Sequence, residues 1–293
     1  MKLTVLIIGC GDIGINLGRE LLEEGHHVIG LRRNVEPLEG TGIKPLKLDL
    51  NDLDDAGAAS LPQADYVVYT VSADHFEESA YQSAYPDGLK RVLNVMEQHK
   101  TPPRRVFFVS STSVHGQQEG EVVNEESPTD PSSFSGKLMC EAEQALINHP
   151  LPGTVIRFSG IYGPGRDRLI HQVAEGRVAA ITPVIYSNRI HRDDCTGIIA
   201  HLIRCQESGK PLADIYLGSD CEPVTMHNVM MWLAQQLKVD ATDTMQSPLR
   251  RRTSKRCDNQ RIIDTGYQFR FPTYREGYAQ VLKAGGFLDV NKA

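Results

Sequence analysis

The sequence of 293 residues contains no apolar run near the ~18 residues that a membrane-spanning helix needs. It has no C-x-x-C pair either. Its six cysteines, Cys10, Cys140, Cys195, Cys205, Cys221 and Cys257, are scattered along the chain. That spacing suits reduced thiols in a cytosol and argues against a disulfide framework or a zinc site. Positive charge is not in excess: 31 Lys and Arg stand against 37 Asp and Glu, a net charge of −6, which argues against a general nucleic-acid binder. No internal repeat and no low-complexity tract is present. The opening apolar stretch, Leu3 to Ile8, is too short for a secretory signal and runs into glycines rather than a small-residue cleavage site. What remains is an ordinary globular balance, 40% hydrophobic and 23% charged, on a chain long enough for a full core. The expectation is a cytoplasmic protein with one main core and no membrane association.

Strands and helices alternate through the first half. Leu3–Ile8 reads as a buried parallel strand bounded by Gly9. Ile13, Leu17, Leu21 and Leu22 then recur at helical spacing up to Gly25. Further strands are expected at His27–Leu31, Ile43–Leu48, Tyr66–Val71, Val106–Ser110 and Thr154–Phe158, with helices at Gly88–His99 and Ser135–Ile147. Strands separated by helical crossovers predict an α/β fold: a Rossmann-type doubly wound parallel sheet with a small C-terminal substrate lobe. The pattern becomes irregular near residue 160. The division expected is therefore 1–160 for the doubly wound sheet and 161–293 for a smaller lobe interwoven with it. In that lobe helices are expected at Asp193–Cys205, Val224–Leu237 and Arg275–Ala284, and short strands near Ala179–Ile181 and Ile215–Gly218.

Gly9-Cys10-Gly11-Asp12-Ile13-Gly14 is a G-x-G-x-x-G element that leaves the first strand and opens the first helix. Glycines there make the tight turn, admit pyrophosphate to the backbone and bring helix against sheet. The helix N-terminus offers N–H groups and positive partial charge to the phosphates. An NAD-type site places an acidic residue at the end of the second strand. This chain has Arg32 and Arg33, whose guanidiniums can fork onto a 2′-phosphate, so NADP is favoured over NAD. Asp49, after the third strand, can meet the adenine amino group or simply cap a helix.

A succession of motifs then follows. Val109-Ser110-Ser111-Thr112-Ser113-Val114-His115-Gly116 leads through Asn124–Pro131 to Phe134-Ser135-Gly136-Lys137. After these come Arg157-Phe158-Ser159-Gly160-Ile161-Tyr162-Gly163-Pro164-Gly165 and Ile190-His191-Arg192-Asp193-Asp194. In order and spacing this resembles the extended short-chain dehydrogenase/reductases, the NAD-dependent epimerase/dehydratase family, from Leu3 to about Leu282. The resemblance implies hydride transfer between a substrate carbon and nicotinamide, assisted by a Ser or Thr, a Tyr and a Lys. Ser111 matches the hydroxyl residue, with Thr112 beside it at the substrate, and Lys137 matches the lysine that also holds the nicotinamide ribose. Val71, closing the fourth strand, falls among the implied cofactor contacts. The lysine's charge serves to lower a phenol whose ordinary value is about 10.

The tyrosine is missing. Four residues before Lys137 stands Ser133, and its neighbour Phe134 has no hydroxyl. His115 replaces the tyrosine usual in the family's Val-Tyr-Gly turn. Tyr85 stands, before Pro86 and Gly88, where an asparagine is usual at the substrate. Three readings stay open. Another group, His115, Tyr162, Tyr85 or Tyr81, carries the proton; or Lys137 only clamps ribose in a non-catalytic dinucleotide-binding regulator; or substrate or water carries the proton.

Other clusters have plainer readings. His191-Arg192-Asp193-Asp194 lacks a good ligand set for zinc, so no metal is expected; an aspartate there caps the helix that follows. The basic run Arg250-Arg251-Arg252 with Lys255-Arg256 is either a solvated loop or, as in the family, the partner of a nucleotide-sugar diphosphate, with Arg250 at the substrate. The helices near 88–99 and 135–147 resemble those through which the family dimerises, which makes a homodimer and a small-molecule substrate the expected partners.

Overall fold

The computed structural model describes residues 2–53, 61–245 and 254–288. The chain divides into two compact units. The first comprises residues 1–114, 129–157 and 196–216, and the second 115–128, 158–195 and 217–293. The division is discontinuous, where the sequence pattern alone suggests one boundary near residue 160. Hydrophobic periodicity records which elements exist, and not with which neighbours a segment packs.

Seven strands make the central sheet: β1 (Thr4–Ile8), β2 (His27–Arg32), β3 (Lys44–Lys47), β4 (Tyr66–Tyr69), β5 (Arg105–Ser111), β6 (Gly153–Phe158) and β7 (Ile215–Gly218). They form one parallel sheet in the order β7-β6-β5-β4-β1-β2-β3. Chain order reverses at β1, beside β4. In register Ile8 lies against Leu31 on one side and Tyr69 on the other, so three strand ends meet the glycine loop. This is the switch point at which open α/β sheets bind ligands.

Four helices matter here: α1 (Asp12–Glu23), α2 (Glu78–Gln82), α3 (Gly88–Glu97) and α4 (Phe134–Ile147). Leu17 and Leu21 of α1 are buried, with Gly18 close against Ile43. Leu89, Val92, Leu93 and Met96 of α3 pack with Met139, Ala142 and Leu146 of α4 over Val67, Tyr69, Val106 and Phe108 of the sheet. Strands covered in this way read as continuous apolar runs, which is why they are visible in the sequence.

The second unit gathers the helices Arg168–Ala174, Met226–Leu237 and Tyr274–Ala284 around Ile170, Val173, Val229, Leu233, Tyr278 and Val281. Short strand pairs surround them. Gly160–Tyr162 runs parallel to Arg189–His191, and Glu121–Val123 parallel to Lys255–Cys257. Thr273 and Glu276 form a reciprocal capping box at the start of the last helix. No helix among the described residues is long and apolar enough to cross a membrane.

Candidate active site

Two glycines of the loop, Gly9 and Gly14, sit against neighbours that leave no room for a side chain. Gly9 has φ +79°, and a Cβ there would lie 2.6 Å from the backbone N and Cα of Val71. Only glycine combines that conformation with so close an approach. A Cβ on Gly14 would lie 2.9 Å from Ile7 Cγ2, the helix-to-sheet contact. At Gly11 the space is open, with only the Gly9 carbonyl oxygen near, at 3.7 Å. Gly11 is also the N-cap of α1 and supplies no side-chain cap, so the first turn, with Asp12 and Ile13, offers its N–H groups outward. The N–H groups of Gly9 and Cys10 both donate to the Leu31 carbonyl oxygen at 3.0 Å, tying the loop to β2. An open cradle at an uncapped helix start fits the pyrophosphate of a dinucleotide. Cys10 is buried beneath it, and burial pushes its thiol up to about 12, which makes it packing rather than chemistry.

The two arginines ending β2 go separate ways. Arg32 Nη1 donates to the Cys10 carbonyl oxygen at 3.1 Å. Arg33 forks onto Asp74, just beyond β4, with Nη1–Oδ2 at 2.8 Å and Nη2–Oδ1 at 2.6 Å. Hydrogen bonding to that guanidinium holds the Asp74 carboxyl below the usual range. Asp49 Oδ1 accepts the Asn51 N–H at 2.9 Å, capping the turn Leu50–Asp52.

Ser111 closes β5, and its Oγ accepts the Ser113 N–H at 3.1 Å. Thr112 beside it is buried. Helix α4 comes against this same turn: a Cβ on Gly136 would meet Pro131 and stand 2.8 Å from the Ser113 carbonyl oxygen. Lys137 is the next residue, exposed. The residue in the tyrosine's place, Ser133, is the N-cap of α4, its Oγ accepting the Gly136 N–H at 3.1 Å. Further along α4, Glu143 is 2% exposed, and Arg157 of β6 is 3% exposed. Arg157 donates from Nε at 3.0 Å and Nη2 at 2.7 Å to the Glu143 carboxylate, and Ser110 Oγ donates to it at 2.6 Å. The strand carrying Ser111 and the helix carrying Lys137 are thereby held together from both sides. Sequence reasoning missed this network, although an arginine inside an apolar strand signals a buried partner.

Aromatic rings cover the start of α4. Tyr81 of α2 meets Phe134 edge-on at 5.5 Å between ring centroids, and Phe76, 63% exposed, lies 4.9 Å from the same Phe134. Phe134 and Lys137 are three residues apart and share a helix face. Tyr81 is half-buried there, while Tyr85, 5.2 Å from it, is buried and its phenol is pushed up by that burial.

The other sequence candidates belong to the second unit. Tyr162 is 2% exposed, stacked on Tyr278 at 4.4 Å, and burial raises its phenol above the ordinary value. His115 is fully buried, and its carbonyl oxygen accepts from Lys255 Nζ at 3.1 Å. Burial lowers that amine to about 8. Arg256 donates to the Gly120 carbonyl oxygen at 2.8 Å and lies over the Tyr186 ring. Asp194 accepts from Tyr267 Oη at 2.8 Å and from the N–H groups of Arg270 and Phe271 at 2.7 and 3.0 Å, a structural hub. Arg250 lies outside the described residues.

A family model for NAD-dependent epimerases and dehydratases matches residues 5–223, a span holding the glycine loop, Ser111, Lys137 and Tyr162. The chain belongs to the NAD-dependent epimerase/dehydratase family. Protein YeeZ of Escherichia coli (strain K12) is 30% identical over 220 residues, 70% of this chain and 74% of that one. A solved Methylobacillus flagellatus protein described as an NAD-dependent epimerase/dehydratase is 35% identical, with a TM-score of 0.79 over 98% of this chain and 100% of that one. The human epimerase family protein SDR39U1, solved with NADPH, shares the fold at 18% identity, with a TM-score of 0.78 over 96% and 99% of the two chains. Within this epimerase/dehydratase family the loop geometry makes a nicotinamide dinucleotide the cofactor class.

Proposed function

We propose that the chain is an NADP(H)-preferring oxidoreductase of the epimerase/dehydratase type, acting on a hydroxyl- or carbonyl-bearing carbon of a small molecule, with its acid/base moved from α4 to Tyr81. The observation that supports this reading is that α4, the helix of Lys137, comes at Gly136 against the turn that follows Ser111, with the Tyr81 ring against Phe134 in the first turn of the same helix. Gly9, Gly11 and Gly14 would hold the pyrophosphate, Arg32 and Arg33 the adenosine end, and Lys137 the nicotinamide ribose. The bound dinucleotide supplies or takes up a hydride. Ser111 Oγ orients the substrate oxygen. Tyr81 Oη moves that oxygen's proton, and the Lys137 ammonium stabilises the negative charge left behind. Burial of Tyr162, Tyr85 and His115 keeps those groups from exchanging protons with a substrate oxygen as readily as Tyr81.

A nucleotide sugar is one substrate this reading admits, among other hydroxyl- and carbonyl-bearing metabolites. The test is a substrate panel of nucleotide sugars, aldehydes, ketones and alcohols, followed by reduced-nicotinamide absorbance, with wild type, Tyr81→Phe and Lys137→Met. Turnover by wild type should fall by about 100-fold or more in Tyr81→Phe. Full turnover by Tyr81→Phe would sink the relocated acid/base. Ser133 serving as a helix cap beside a hydroxyl-less Phe134 favours a second reading, a dinucleotide-binding regulator. Tight dinucleotide binding with no hydride transfer to any panel member would favour it.

A further inference from the structure

The loop beyond β4 carries a carboxylate to the place where the end of β2 lacks one. NAD-type sites hold an acidic residue at the end of the second strand, and here that position carries Arg32 and Arg33. Asp74, 41 positions further along the chain, reaches back and takes both terminal nitrogens of Arg33 in a bidentate pair. The guanidinium that could fork onto a 2′-phosphate is therefore already forked onto a carboxylate. Arg32 is committed elsewhere, to the Cys10 carbonyl oxygen at 3.1 Å. Both members of the Arg33–Asp74 pair are more than half exposed, so a ligand can reach them and Arg33 can exchange partners without disturbing the core.

We propose that Asp74 sets the cofactor preference of this chain, by competing with the 2′-phosphate of NADP for Arg33 and by offering the 2′-hydroxyl of NAD a carboxylate acceptor. With the pair closed, the adenosine end presents a carboxylate, as an NAD site does. With Arg33 turned to a 2′-phosphate, Asp74 becomes a like charge beside that phosphate and weakens its binding. The preference for NADP is thus held below what two arginines alone would give. This inference rests on the dinucleotide reading of the glycine loop and adds to it a residue that decides between the two cofactors.

The experiment is calorimetric titration of NADP and NAD into the full-length wild type, Asp74→Asn, Arg33→Gln and the double variant. Asp74→Asn should bind NADP about 5- to 10-fold more tightly, from removal of one like charge and one competitor at a solvent-exposed site. NAD affinity should stay level or fall. In the Arg33→Gln background the same Asp74→Asn change should keep only the smaller part of its gain that comes from removing a like charge, because the competition needs the guanidinium. An NADP-to-NAD ratio unmoved by Asp74→Asn would overturn the proposal while leaving the dinucleotide site intact. An equal gain with and without Arg33 would also overturn it, since a general field effect would then explain the result. Failure of all four proteins to bind either nucleotide would overturn the dinucleotide reading itself, and this proposal with it.

Discussion

Replacing Glu143 with alanine tests whether the buried network behind Ser111 and Lys137 is structural support for the site. The carboxylate is 2% exposed and accepts from Arg157 Nε at 3.0 Å, Arg157 Nη2 at 2.7 Å and Ser110 Oγ at 2.6 Å. Its removal leaves the Arg157 guanidinium, 3% exposed, without the carboxylate that neutralises it. Breaking a buried pair from one side costs about 3–5 kcal/mol. At roughly 2 °C per kcal/mol for a chain of this size, the melting temperature should drop by about 6–10 °C. The double variant Glu143→Leu/Arg157→Met removes both charges and keeps the volume, so it should recover most of that loss. Thermal unfolding by circular dichroism measures stability, and calorimetric NADP titration on the folded variants measures whether Lys137 has moved. A melting temperature lowered by less than about 2 °C in Glu143→Ala, or a double variant no better than the single, would refute the reasoning.

Gly9→Ala should destabilise the protein by about 2 kcal/mol or more, since a side chain at φ +79° adds conformational strain to a Cβ placed 2.6 Å from the Val71 backbone. Dinucleotide affinity should fall with it, and unchanged binding by calorimetry would show that the loop is not the phosphate cradle. Asp220 of the second unit is 1% exposed, and burial raises its carboxyl to about 8, above an unfolded value of about 3.9. The folded state therefore holds a proton that the unfolded state has released, so this group's contribution to stability falls as pH rises from about 4 to about 8. Asp220→Asn should gain melting temperature relative to wild type on going from about pH 5 to about pH 8, and parallel curves would contradict that.

The parts legible in the sequence are those governed by near neighbours. The run from Val5 to Ile8 is apolar throughout because both faces of β1 are covered there, and the same logic makes β4, β5 and β6 visible. The helix start at Gly11 and the stop near Gly25 follow from backbone sterics and unpaired N–H groups, which act over a few residues. Element ends shift by a residue or two. The strand expected over Ile43–Leu48 is Lys44–Lys47, and the final helix, expected from Arg275, begins at Tyr274, just after its Thr273 cap. Ser133 can be recognised as a cap because an N-cap bond also spans only three residues.

Sequence by itself thus determined the doubly wound sheet, the glycine loop at its switch point, and the serine that stands in the place of the family's tyrosine four residues before Lys137. Tertiary structure alone decided that Arg33 is held by Asp74, that Tyr81 lies on Phe134, that Glu143 binds both Ser110 and Arg157, and that residues 115–128 pack with the second unit. The physical reason is range. Periodicity, capping and glycine sterics act between residues close in sequence, whereas Arg33 and Asp74 are 41 positions apart and Ser110 and Glu143 are 33 apart. Which such groups meet depends on how strands and helices stack, and burial then makes each meeting obligatory, because a charge taken out of water must find its partner.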